Sequence, residues 1–160
     1  RNEEAALAFK KGAKYFLQTK ETSYPPSKSS MVSLSWCLSR STARSEYRHN
    51  ILSSEVKKVV DILEEMVPEW KRGQEWYCLM IALRHFLKEY EEVIFLHQQM
   101  RKNNQFGLMD LMAAKSYNQL GRLSEGLLLL DNKEHKVDDR VVFQLLKDSA
   151  LSGDGEKIDR

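Results

Sequence analysis

Residues 74–133 carry one pattern twice, and that repetition constrains the fold more than any other feature of the chain. In the first copy Trp76, Tyr77, Met80, Leu83 and Leu87 recur at helical spacing, the pattern breaks at Lys88-Glu89-Tyr90, and Val93, Leu96 and Met100 restart it. In the second copy Leu108, Leu111, Met112, Ala114, Tyr117 and Leu120 precede a break at Gly121-Arg122-Leu123, and the helix resumes at Gly126. Lys88 aligns with Gly121, Tyr90 with Leu123 and Val93 with Gly126, each 33 residues on. Upstream, Val59, Val60, Ile62 and Met66 align with Val93, Ile94, Leu96 and Met100 at a step of 34. A period near 34 built from paired helices marks a repeat array, in which each hairpin buries its apolar face against its neighbours. The expected fold is all-α, a right-handed α-solenoid of stacked helix-turn-helix hairpins.

The remaining chain fits that frame. Residues 3–18 read as an amphipathic helix with Ala6, Phe9, Ala13, Phe16 and Leu17 on one face, and Glu3 and Glu4 in its first turn suit the helix dipole. Residues 19–29 read as a loop around Pro25-Pro26, followed by a helix MVSLSWCLSR with Val32, Trp36 and Leu38 as its apolar contacts. Residues 41–53 lack periodicity and read as an extended connection holding Arg44, Arg48 and His49. Ser54 is the expected cap of a helix through Val56, Val59, Val60, Leu63 and Met66, which Pro68 ends. Asn103-Asn104 separates the two hairpins. Asp139 is the expected cap of a later helix VVFQLLKDSAL, which Gly153-Asp154-Gly155 closes, and 156–160 begin another. Residues 1–160 thus read as one helical-repeat domain or as part of a longer array. Its clearest repeats are 74–107 and 108–138, with a partial copy over 139–160, and 19–29 and 41–53 are its least regular stretches. No stretch alternates with period two for long enough to make a strand.

Composition narrows the function classes. Twenty-five basic residues against 23 acidic give a net charge of +2, which argues against nucleic acid as the partner, since its binders concentrate positive charge. No apolar run approaches the roughly 18–20 residues that span a bilayer, and no signal-peptide pattern precedes the first helix. Cys37 and Cys78 both sit in apolar helical context and read as reduced thiols. A reducing intracellular compartment is therefore expected, the cytoplasm, with mitochondrial association as the other placement.

At Ala113, Ala114, Tyr117, Gly121, Leu123 and Gly126 the spacing resembles the tetratricopeptide repeat. The resemblance implies small residues where two helices approach, an aromatic in the groove, and a glycine at the turn. The preceding copy resembles it through Tyr77, Met80, Ile81, Tyr90 and Val93, with Lys88 where a turn glycine is common, and a cut-off copy is read at Leu145, Leu146, Gly153 and Ile158. Two neighbouring families compare less closely. YEEVIFLHQQMRKNN is similar to the second helix of the pentatricopeptide repeat, which implies single-stranded RNA binding, but no proline-containing link follows Met100. SWCLSRS, DILEEMVPEW and WYCLMIALRHFLKEYEEV are similar to the mitochondrial fission receptor family, departing from it in the 41–53 stretch and in having no transmembrane tail.

Catalytic chemistry is not expected. Ser54 and Lys57 have the spacing of some acyl-transfer sites but read as a cap and a solvated lysine. His49, His85, His97 and His135 form no metal-ligand spacing, and no residues pair a nucleophile with a base and an oxyanion donor. No cofactor or metal is called for. Function is expected on the concave surface of the first helices, where a protein or peptide segment docks. On the tetratricopeptide frame the residues there are Cys78, Leu79, Ala82, His85 and Phe86, then Leu111, Met112, Lys115, Asn118 and Gln119, then Phe143, Gln144 and Lys147. His85, Phe86, Lys115, Asn118 and Gln119 are the candidate partner-binding set. The alternatives are a pentatricopeptide-like RNA-binding module and a fission receptor-like adaptor.

Overall fold

The computed structural model describes residues 2–22, 24–41, 51–102, 109–130 and 146. Among these the chain is all-helical, with α1 at Asn2–Thr22, α2 at Lys28–Ser41, α3 at Ser53–Met66, α4 at Gln74–Phe86, α5 at Tyr90–Lys102, α6 at Asp110–Gln119 and α7 at Leu123–Leu130. A short 3-10 turn, Glu69–Lys71, links α3 to α4. The helices fall into two compact units, Arg1–Lys88 and Glu89–Arg160.

In the first unit α1 packs against α2 and α3, and α4 packs against the same two helices. The core follows the spacing of the apolar residues. Ala6, Phe9, Ala13 and Phe16 of α1 are buried, as are Val56, Val59, Val60, Ile62 and Leu63 of α3. From α4 the core takes Trp76, Leu79, Met80, Ile81, Ala82, Leu83 and Phe86. A helix covered on two sides needs apolar residues nearly all round, and that explains the run through α4. Arg72 closes the C-terminal end of α3, donating from Nε to the Val67 carbonyl at 3.0 Å and from Nη2 to the Glu64 carbonyl at 3.2 Å. These are carbonyls that a helix end leaves without an intrahelical partner.

Three local readings are corrected. α1 runs on to Thr22, because Thr19 turns its hydroxyl back onto the Phe16 carbonyl at 2.6 Å and stays buried. α2 starts at Lys28, where Ser27 accepts from the Ser30 N–H at 3.2 Å, and it buries Met31, Leu34, Ser35 and Leu38. Val32 and Trp36, expected inside, are exposed. α3 begins one residue before Ser54, with Leu52 as its N-cap and no side-chain cap bond. The expectations for Arg44, Arg48, Asn103-Asn104 and nearly all of 131–160 fall outside the described residues.

In the second unit α6 packs against both α5 and α7. Val93, Ile94, Leu96, His97 and Met100 are buried in α5, and Ala113, Ala114 and Ser116 in α6. Gly126 lies against α6 so closely that a Cβ there would sit 2.8 Å from the Ala114 carbonyl oxygen. Ala114, Leu123 and Leu130 form a small core with Leu127, Leu129 and Leu146 against it. Tyr117 is half-buried, and the Arg122 guanidinium lies over its ring at 4.9 Å.

The ends of α4 and α6 repeat each other at the backbone. Gly121 has φ 79°; its N–H donates to Asn118 at 3.1 Å and the Arg122 N–H to Tyr117 at 2.8 Å, the pair of bonds that closes a Schellman cap. Thirty-three residues earlier Lys88 takes the equivalent place, with φ 61° and its N–H on the His85 carbonyl at 3.0 Å. Lysine carries a Cβ penalty there that glycine does not. Replacing the exposed Lys88 by Gly is accordingly expected to raise stability by about 0.5–1 kcal/mol, read as a higher denaturant midpoint at unchanged slope. An unchanged or lower midpoint would show that the left-handed turn at 88 is not the relaxed conformation.

Candidate functional site

The clearest accessible stripe on α6 is made by residues four apart. Leu111, Lys115 and Gln119 fall on one line of that helix, as i to i+4 spacing requires, and Leu111 and Gln119 are exposed while Lys115 is half-buried. On α4, in the other unit, His85 is half-buried in the last turn and Cys78 is half-buried further back. The apolar members of this surface pack inside their unit. Leu79 and Ala82 are buried and Phe86 is 7 % exposed, because α4 is enclosed by its packing against α2 and α3. Asn118 is likewise buried, at 3 %. Of the five candidate partner-binding residues, His85, Lys115 and Gln119 keep accessible surface. Phe86 and Asn118 bear on the stability of their helices first.

A buried polar pair escapes the pattern of the sequence. His97 Nε2 and Asp110 Oδ1 lie 2.5 Å apart, joining α5 to the first residue of α6. At 2 % and 7 % exposure both residues are buried. The first unit has a polar tie of its own, from the buried Trp76 Nε1–H to the Leu63 carbonyl at 3.1 Å. His49 and His135 lie outside the described residues.

The two thiols are poor nucleophiles. Burial pushes the Cys78 thiol up to about 11, with the Glu75 carboxylate beside it adding to the rise, and burial also raises Cys37. Both are half-buried and reduced, and each stays protonated at neutral pH, where thiol chemistry needs the thiolate. A raised thiol pKa favours the folded state below the ordinary range and loses that contribution as pH climbs towards 11. Cys37 lies at one edge of a cleft of about 240 Å³ between α1 and α2, with Tyr15, Ser29, Ser30 and Ser33 as its polar lining. That lining includes no acid or histidine to serve as a base. Ser54 and Lys57 are both exposed in the first turns of α3. Among the described residues no three of His, Cys, Asp or Glu are placed to hold a metal ion. None of the helices described is long and apolar enough to cross a membrane.

No protein-family model, curated protein or solved structure matches the chain.

Proposed function

We propose that the chain is a right-handed α-solenoid of tetratricopeptide-like repeats and acts as a non-enzymatic scaffold or adaptor. A protein or peptide segment docks on the face presented by the first helices, and no covalent chemistry is involved. The observation that carries this reading is the pair of left-handed turns at Lys88 and Gly121, 33 residues apart, with the next helix starting two residues later in both. The buried sets Val59, Val60, Ile62 and Val93, Ile94, Leu96, related by a step of 34, support it at the level of packing. Within each unit the helix contacts are in keeping with it: α4 lies against the preceding α3 and also against α2, and α6 lies against α5 and α7. Stacked hairpins place a first helix in that position.

On α6, Lys115 and Gln119 are the side chains through which a partner would be read, and on α4 taken by itself His85 is. A Lys115→Glu, Gln119→Ala double variant is expected to keep stability within about 1 kcal/mol, as surface changes do. It should also weaken binding by about tenfold or more, a loss of only about 1.4 kcal/mol. The measurement is the affinity of the purified partner recovered by pull-down, beside a melting curve of each variant. Full-strength binding by a normally folded double variant would remove α6 from the interface. A salt-sensitive shift of single-stranded RNA by the intact chain would replace the scaffold with an RNA-binding array.

A further inference from the structure

The two buried polar ties occupy the same place in the repeat. Leu63 and Trp76 are 13 residues apart, and so are His97 and Asp110. A step of 34 carries Leu63 onto His97 and Trp76 onto Asp110, so both members move together. Each tie joins a second helix to the first helix that follows it, α3 to α4 in one unit and α5 to α6 in the other. The chemistry differs completely. An indole N–H meets a backbone carbonyl in one case, and an imidazole meets a carboxylate in the other, yet the location is kept.

A directional bond at that location has a physical use. Apolar contact is non-directional, so two helices joined by continuous apolar faces can slip past one another at little cost. A slip of one residue turns a helical face by about 100°. A buried hydrogen bond has one partner and one geometry, and leaving its groups unmade costs about 1–3 kcal/mol. Buried polar groups fix helix register in coiled coils by this means, at some cost in stability. At α6 the arrangement is sharper. Asp110 is the first residue of the helix, its carboxylate suits the N-terminal dipole, and the residue before it, Met109, is held at φ 64°.

We propose that the His97–Asp110 and Trp76–Leu63 ties are register pins, each fixing where an incoming first helix sits against the second helix before it. At α6 the pin sets the phase of Leu111, Lys115 and Gln119 around the helix axis. The pins belong to the folding of the chain and operate whether or not a partner binds.

Three variants of the intact chain test this by amide hydrogen exchange and melting. Asp110→Asn keeps a side-chain oxygen to accept from His97, so α6 amides should exchange within about threefold of wild type. His97→Leu with Asp110→Leu removes both polar groups. That double variant should melt near wild type, while α6 amides exchange about tenfold faster or more and α6 resonances split into more than one set. Replacing Trp76 by benzothienylalanine keeps the bicyclic ring and exchanges only the N–H for sulfur, and should speed exchange in α4 by about tenfold while α1 is unchanged. Slow exchange and a single set of α6 resonances in the double leucine variant would overturn the proposal, since packing alone would then hold the register. Unchanged α4 exchange with benzothienylalanine at position 76 would overturn it independently, including where the double variant fails to fold.

Discussion

A Phe86→Ser variant is expected to lose about 3–5 kcal/mol of stability, the cost of emptying a buried aromatic site, with a further penalty for burying a hydroxyl. Phe86 closes α4 at 7 % exposure, two residues before the left-handed residue Lys88, and α4 is the helix on which α2 and α3 both pack. Such a loss is comparable to the whole stability of a small domain, so the variant should be largely unfolded at 37 °C or melt far below wild type. Chemical denaturation followed by circular dichroism measures it. A change under about 1 kcal/mol would return Phe86 to the surface and restore it as a docking anchor.

The second large effect is expected at Gly126. A valine there needs a Cβ 2.8 Å from the Ala114 carbonyl oxygen and 3.4 Å from Tyr117 Cβ. The first of these contacts is backbone, which cannot rotate away, so α7 must move off α6. Overpacking of this kind costs about 1–3 kcal/mol, and the few residues of the small core around Ala114, Leu123 and Leu130 have little to offset it. The expected result is selective loss of amide protection in α6 and α7, with α1 and α3 unchanged. Equal protection throughout would mean that the two helices do not approach at Gly126.

Much of this arrangement could be read from the residues, and the failures have identifiable causes. α3, α4 and α5 were legible because their apolar residues fall at three and four apart on faces that are in fact buried. The turn at Lys88 was legible only through its alignment with Gly121, since lysine does not announce a left-handed residue. α2 misled because it has apolar residues on two faces: Met31, Leu34 and Leu38 lie inside with Ser35, while Val32 and Trp36 lie outside. Spacing alone leaves both faces open, and the neighbours α1 and α4 decide which one is covered. Thr19 and the residues after it read as loop because they are polar, whereas the Thr19 hydroxyl is satisfied within the helix. The His97–Asp110 pair carries no local signal, since its members belong to different helices. Its trace was in the repeat register, where a histidine stands in line with Leu63 and Leu130. As for the site, the helical faces could be assigned from spacing. The burial of Phe86 and Asn118 could not, because it depends on tertiary packing rather than on the period of one helix.

The recurrence of one arrangement at a step of 34 residues is the claim on which the proposed repeat depends, and nuclear Overhauser contacts within each unit test it most directly. Packed helices run about 8–10 Å apart, close enough for side chains to meet. If the repeat register holds, the Trp76 indole should show contacts to α3 around Leu63, and the His97 ring should show the equivalent contacts to α6 around Asp110, in the chain as it stands and without a partner. A complete assignment that gives the first set of contacts and not the second would contradict the repeat and the docking surface built on it.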